Sequence, residues 1–339
     1  MNMKIEEVVD SKVWENFLKN SPNRYFLQTW QWGEFENKGL KKKIWRLGFR
    51  KNGKLKAICL ATEEVGRFGK FIYCPRGPIL NWGSEGEREE VLEKLTDFFK
   101  NKNYIFLRID PAIKKEDGFE MKGFKDAVNF VQVQRAWMLD IQDKTEDELM
   151  LGMRKNARYS LRKAMKSGVE VKISKNMEDF EKFLDMLEVL SKEKGFASVS
   201  KEYLKTQFEM MGDIIKFFCA KKNGKVIAGG WFAFYGDESS YLHGASSKEV
   251  GDTQAPYLIQ WKAIMHAKEL GMKRHNFWGV VEDKNYHPKY PGFGYSNFKK
   301  GFGGYLEEYI RTKDFPYNMI KYQLFRLNDW YRKVRYKGN

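Results

Sequence analysis

The chain has 339 residues, more than one hydrophobic core ordinarily fills, so two domains are expected. Hydrophobic residues make up 42% and aromatic ones 16%, which excludes a disordered chain. With 61 Lys and Arg against 45 Asp and Glu, the net charge of +16 points to a polyanionic partner: nucleic acid, a phosphorylated sugar or an anionic membrane surface.

The N-terminal run MNMKIEEVVDSKVW carries acids and no long apolar stretch, so it does not read as a signal peptide. IWRLGFR and LKAICLAT flank KNGK at 51–54. Asn-Gly between alternating apolar runs is a hairpin signal, because a type I′ turn needs positive φ at both central residues. FIYCP (71–75) reads as a strand, and SEGEREEVLEKLTDFFKNK (84–102) as a helix with Val91, Leu92, Leu95, Phe98 and Phe99 on one face. YIFLRIDP (104–111) and FVQVQRAWMLDI (130–141) read as strands.

The stretch 145–168 reads as one helix, opened by the capping-box pair Thr145 and Glu148 and closed by Gly168. Arg154, Arg158 and Arg162 recur every four residues and would share a face, with Lys163 beside them. Such a face suits phosphates, though a solvated helix face has the same pattern. VEVKIS (169–174) is a predicted strand, followed by two helices (177–194 and 201–211). KNGK then returns at 222–225 between IIKFFCA and VIAGGWFAF, suggesting a duplicated α/β unit. AGGWFAF (228–234) is also the longest apolar stretch, far short of a membrane span. SSYLHGAS, a helix over 255–271 stopped by Gly271, and RHNFWGV complete the second half. The tail 316–339 reads as a basic helix begun by Pro316. Its apolar stripe, Ile320, Leu324, Leu327, Tyr331 and Val334, would pack against a domain, with contact to an anionic membrane as the second reading.

Much chemistry is missing from the pattern. There is no P-loop, no Gly-x-Gly-x-x-Gly after a strand and no Gly-x-Ser-x-Gly elbow. Cys59, Cys74 and Cys219 stand far apart, and the four histidines lack ligand spacing, so neither a disulfide framework nor a metal site is expected. A reducing cytoplasm fits. The doubled α/β pattern resembles an acetyltransferase (GNAT) fold. Where acyl-CoA members carry Gly-x-Gly, this chain has GDTQAPYLIQ (251–260), so another acyl donor is expected.

Several segments together carry a closer resemblance: FLQTWQWGEF (26–35), YCPRGPI (73–79), LRIDP (107–111), RKNARYSLRKAMKSGVEV (154–171) and NFKKGFGGYLEEYI (297–310). The chain resembles the FemABX family of aminoacyltransferases, which move an amino acid from aminoacyl-tRNA to the stem peptide of a peptidoglycan precursor. The resemblance implies an α/β fold of two tandem GNAT-like domains with mixed sheets, facing a shared cleft. It implies a first domain over 1–143, with the helix at 314–339 packed back on it, and a second over 144–313. The long helical arm of larger members has no room here. No cofactor is implied, and the ester donor needs neither a metal nor a covalent enzyme intermediate.

Carried over by position, Phe298 and Lys299 match the aromatic–lysine pair at the aminoacyl end of the tRNA. There an ammonium would stabilise the oxyanion and a phenyl face would stack on a base. Gly301, Gly303 and Gly304 would give clearance, and Lys300 would point away, as alternating strand neighbours do. Arg154, Arg158, Arg162 and Lys163 would bind tRNA. Tyr203, His243, Arg76, Asp110, Trp32 and Lys38 are the candidate precursor-binding residues. Arg76 as a turn brace and Asp110 as a strand-end cap are equally open, and Trp32 and Gln28 also suit structural roles. The chain departs from the family pattern where Val199 replaces an arginine, Glu36 stands in place of a basic residue, and His243 replaces a tyrosine. These departures leave both UDP-linked and lipid-linked precursors open. The expected protein is a cytoplasmic monomer, with peripheral contact at the inner face of the membrane. The rival readings are an N-acyltransferase using a non-tRNA donor on a polysaccharide or amino sugar, and a non-catalytic RNA-binding protein.

Overall fold

A computed structural model describes residues 2–194 and 199–335. The chain opens with β1 (Lys4–Glu7), α1 (Ser11–Lys19), α2 (Trp30–Glu34), β2 (Ile44–Lys51), β3 (Lys54–Gly66), β4 (Gly69–Cys74), β5 (Ile79–Leu80), α3 (Glu85–Phe99), β6 (Phe106–Ile109) and β7 (Lys125–Asp126). It continues with β8 (Arg135–Asp140), α4 (Glu146–Gly152), α5 (Lys155–Met165), β9 (Glu170–Ser174), α6 (Met177–Lys194), α7 (Lys201–Met210), β10 (Ile215–Lys222), β11 (Lys225–Tyr235), β12 (Glu238–Ser246), α8 (Ala255–Glu269), β13 (Arg274–Gly279), α9 (Phe293–Lys300) and β14 (Tyr305–Glu308). The last elements are β15 (Lys313–Pro316) and α10 (Met319–Arg335). Two compact units result. One takes the residues up to Gln134 together with the run from Glu308; the other is Arg135–Glu307.

Each unit is built on one mixed sheet. The first has the order β1-β2-β3-β4-β6-β15-β7, with β5 on β3. The second, read from its other edge, runs β9-β10-β11-β12-β13-β8-β14. In both, the second and third strands form an antiparallel hairpin, and the fourth and fifth are parallel. The parallel pairs need a crossover, which α3 and α8 supply. The KNGK turns occupy the same place in each sheet. Asn52 and Gly53 have φ of 52° and 75°, and Asn223 and Gly224 have 50° and 77°, so both are type I′. Each hairpin also shifts register two residue pairs from its turn, at Phe49/Arg50 and at Ala220/Lys221. A shared turn could be coincidence; a shared turn, bulge and strand order make a duplicated unit. These are the two tandem GNAT-like α/β units. The longest helix among the described residues, α6, spans 18 residues and buries Phe180, Phe183, Leu184 and Leu187, so no helical arm projects from it.

The sixth strand of each sheet is out of chain order with the five before it. In the second it is β8, which the resemblance put in a first domain ending at 143 but which pairs with β13. In the first it is β15, returning from the chain's end to pair with β6. Buried Arg108 on β6 binds buried Asp314 on β15 through two bonds, Nε–Oδ1 2.7 Å and Nη2–Oδ2 2.9 Å. The Tyr322 hydroxyl on α10 donates to the same carboxylate.

The structure corrects four local expectations. The predicted helix 145–168 is two helices, because Met153 and Arg154 are extended and the Arg154 amide turns to the Gly301 carbonyl (2.9 Å). The predicted strand 130–141 shrinks to β8; Gln132 and Val133 instead bond to the Asp110–Arg76 cluster described below. Pro316 ends β15 rather than starting a helix, and the Asn318 side chain caps α10 through Lys321 N–H. Finally, α10 does pack on the first unit, but by its other face. Tyr322 and Phe325 join Ile105 and Phe106, while the predicted stripe of Ile320, Leu324, Leu327, Tyr331 and Val334 is exposed. Residues 336–339 of the predicted tail helix lie outside the described residues.

Candidate functional site

NFKKGFGG is the end of helix α9 and the turn that follows it. Residues 296 and 299 therefore share a face, as positions three apart on a helix do. That face meets the end of β13. There the strand kinks: Trp278 has φ of 68° and its amide bonds to its neighbour Asn276 Oδ1 (2.7 Å). The kink presents Gly279 C=O and Val281 N–H to α9. Lys299 Nζ donates to the first (2.7 Å), and Ser296 Oγ accepts from the second (3.0 Å).

Around Lys299 Nζ the ring centroids of Tyr295 and Tyr241 lie 5.1 and 5.8 Å away. The lysine is 9% exposed. No carboxylate pairs with it among the described residues, so burial acts uncompensated and pushes its pKa down to about 7. An amine poised there can stand as ammonium or as free base near neutrality, which suits it to proton or charge chemistry. Lys300 contrasts with it. It points elsewhere, but as the next residue of a helix and not as an alternating strand neighbour; Lys300 is also buried, and bonds Asp283 (3.3 Å) with its Nζ 3.9 Å from the centre of the Tyr286 ring. Phe298 is half-buried and packs edge-on against Tyr257 and Phe302.

The glycines do provide clearance, but the protein's own backbone takes it up. Gly303 and Gly304 have φ of 83° and 95°. A Cβ at Gly304 would sit 2.0 Å from Met138 O, and one at Gly303 would sit 2.8 Å from Gly152 O. Trp137 Nε1 donates to Gly303 O (2.6 Å), locking the turn to β8. Gly304→Ala is therefore expected to destabilise the protein by about 2–3 kcal/mol, from the forbidden φ together with the clash. Urea unfolding measures it, and an unchanged midpoint would contradict the packing described.

The arginine face is only partly free. Arg154 donates to Tyr286 OH and Asn297 Oδ1 (both 3.1 Å), so it leans onto α9. Arg158 donates to Leu151 O (2.9 Å) and closes the C-terminus of α4. Arg162 is exposed, and Lys163 pairs with Asp252. The break at 153–154 is the reason the three arginines do not form one uniform face.

In the first unit, Asp110 is a clasp. Its carboxylate accepts from Tyr73 OH (2.8 Å), Arg76 N–H (2.8 Å) and Gln132 N–H (3.3 Å). Burial raises its pKa in spite of these bonds and the nearby Arg76 charge. Arg76, at φ 53°, donates to Val133 O (2.7 Å) and lies 4.9 Å from the Tyr309 ring. The Gln28 amide, fully buried, bonds Pro75 O, Leu60 O and Leu60 N–H, filling the space a Cβ at Gly77 would need. Trp32 is buried against Phe26 and Phe35. Lys38 is exposed and pairs with Glu34. The better-sheltered cation of this segment is Lys42, which bridges Glu36 (2.9 Å) and Glu64 (2.8 Å).

Tyr203 is half-buried in the first turn of α7, where its amide meets the Ser200 cap. His243 lies on β12 beside a register shift opposite Trp231, and burial pushes its pKa down to about 4, so it is neutral at physiological pH. The structure gathers Lys299, Phe298 and Arg154 around α9. It adds three residues that the sequence did not single out: Tyr241, Tyr295 and Gly279. The only sequence signal for Tyr241 is its place two residues before His243. Among the described residues no acidic, His and Cys cluster could hold a metal.

Comparison with known proteins bears on the family and the fold. The model of the FemAB family matches residues 9–117, 115–225 and 218–329. A lipid II:glycine glycyltransferase from Staphylococcus epidermidis is 22% identical, over 91% of this chain and 92% of that protein. Among solved structures, FemX superposes with a TM-score of 0.82 at 20% identity, covering 96% of this chain and all of that one. A tandem GNAT protein from the clavulanic acid pathway follows the same fold more loosely, with a TM-score of 0.56 at 10% identity, over 93% and 99% of the two chains.

Proposed function

This chain belongs to the FemAB family, and on that premise we propose that it is an aminoacyltransferase of peptidoglycan bridge synthesis whose donor is aminoacyl-tRNA. The bridge-building part is supported by the glycyltransferase relatives and by the FemX-like fold. The observation that carries the donor reading is Lys299: a buried amine with no carboxylate partner among the described residues, on a helix whose neighbours include Arg154.

The reaction follows from the ester. The acceptor amine of the stem peptide attacks the aminoacyl carbonyl carbon. A C–N bond forms, and negative charge gathers on the carbonyl oxygen. Collapse breaks the bond to the ribose oxygen, which leaves as a hydroxyl with the proton released by the amine. Lys299, as ammonium, stabilises the oxyanion. A phosphate drawn close favours that charged form. Phe298 gives its exposed part to a base of the single-stranded acceptor end. A lipid-linked precursor is the acceptor we favour, since the curated relatives act on lipid II.

Arg154 and Arg162 are the phosphate ligands of this reading. Arg158 is spoken for by α4, so its loss should cost stability rather than affinity. Filter binding of charged tRNA across salt concentrations tests this. Arg154→Gln with Arg162→Gln should weaken binding and flatten the log–log salt slope by about 1.4, roughly 0.7 for each phosphate no longer neutralised. Unchanged affinity and slope would remove this helix from the tRNA site.

A further inference from the structure

The outward face of α10 has no part in the reaction above. Helical geometry puts Ile320, Leu324, Leu327, Tyr331 and Val334 in one stripe, opposite the face that packs through Tyr322 and Phe325. Every residue of that stripe is exposed, as is Trp330 at its edge. A folded helix does not need two apolar faces, and the inner one already holds it in place. The helix carries Lys321, Arg326, Arg332, Lys333 and Arg335 against a single acid, Asp329, which is buried. Lys321 and Arg332 stand exposed along the stripe's other margin.

We propose that this face is a membrane-surface contact: α10 lies in the plane of an anionic phospholipid surface with the stripe seated at the headgroup boundary. Two properties select lipid over protein. The rim is cationic, complementary to anionic headgroups, whereas two copies meeting through α10 would bring like charges together. Trp330 and Tyr331 are the ring types that settle at a membrane interface. No helix among the described residues is long and apolar enough to cross a membrane, so contact of this kind lies on the surface. The inference rests on the face alone and not on the aminoacyl-transfer reading, although it would bring a lipid-linked acceptor within reach.

The test is sedimentation of the full chain with vesicles, without tRNA or precursor. Binding is expected to mixed phosphatidylglycerol–phosphatidylcholine vesicles, and at least about tenfold weaker binding to phosphatidylcholine alone. Leu327→Glu with Tyr331→Glu should abolish it with circular dichroism and melting unchanged, since both side chains are exposed. Lys321→Gln with Arg332→Gln should weaken it by about 25-fold, roughly fivefold per basic side chain. Failure to bind, equal binding to neutral vesicles, or full binding by the double Glu variant would each overturn the proposal. So would a dimer in solution that the double Glu variant dissociates, which would make the stripe an interface between copies.

Discussion

Replacing Lys299 by Met should lower single-turnover transfer by about 10²–10³, the loss typical of an oxyanion donor. The isosteric apolar side chain fills the same space beside Tyr241 and Tyr295, so the fold should remain. Lys299→Arg should rescue poorly, because a planar guanidinium does not fit a site built for a compact ammonium with one hydrogen bond to Gly279 O. Lys300→Met should have a much smaller effect on turnover. The pH dependence separates chemistry from packing. In the wild type, the rate per unprotonated acceptor amine should fall as pH rises past about 7, at a point moved upward by the bound phosphate, and Lys299→Met should not show that fall. Stability runs the other way. The folded-state pKa lies below the unfolded one, so the penalty of the buried ammonium is full below pH 7 and lifts between about 7 and the ordinary lysine range. Lys299→Met should therefore be more stable than the wild type at pH 6, by on the order of a few kcal/mol, and the difference should shrink toward pH 10. A variant that loses turnover together with stability at pH 6 would point to a structural lysine instead.

Asp314→Ala should destabilise the protein by about 3–5 kcal/mol, because it leaves Arg108 charged and buried without its two carboxylate hydrogen bonds. The same change removes the acceptor of Tyr322 OH. Its effect should reach α10, which depends on β15 for its entry into the first unit. Limited proteolysis should then cut after residue 316 well before the rest of the chain. Arg108→Met with Asp314→Leu should recover most of the loss, since an apolar pair of similar volume replaces two desolvated charges. A midpoint near that of the wild type in Asp314→Ala would mean that the returning strand does not hold this unit together.

The duplicated architecture was legible because its signals are local. Asn-Gly dictates positive φ at two adjacent residues whatever surrounds it, and both copies obey. The capping box at Thr145 is equally local and forms as expected. What could not be read depends on distant partners. Helix α9 is eight residues long between glycines, and nothing in its own sequence favours helix over turn; the contacts of Ser296 and Lys299 with the end of β13 decide it. The break at Met153 and Arg154 is likewise set by Gly301, far along the chain. In α10 the period was right and the side was wrong. Tyr322 and Phe325 are fewer than the stripe residues, yet they face Ile105 and Phe106, and sequence alone does not say which apolar face meets the core. Lys299 itself was found by resemblance, but its depressed pKa was not, because the groups that shelter it come from β12 and β13 as well as from α9.

The most direct measurement of the central claim is the mass of the acceptor. The purified protein would be incubated with a pool of charged tRNAs and, separately, lipid-linked and UDP-linked muramyl peptide, and each precursor examined by mass spectrometry. The predicted result is a gain of one aminoacyl residue on the stem peptide of the lipid-linked form, abolished by ribonuclease treatment of the charged tRNA and by deacylation beforehand. An unchanged mass with both precursors, or a gain that persists when an acyl-CoA replaces the tRNA, would contradict it.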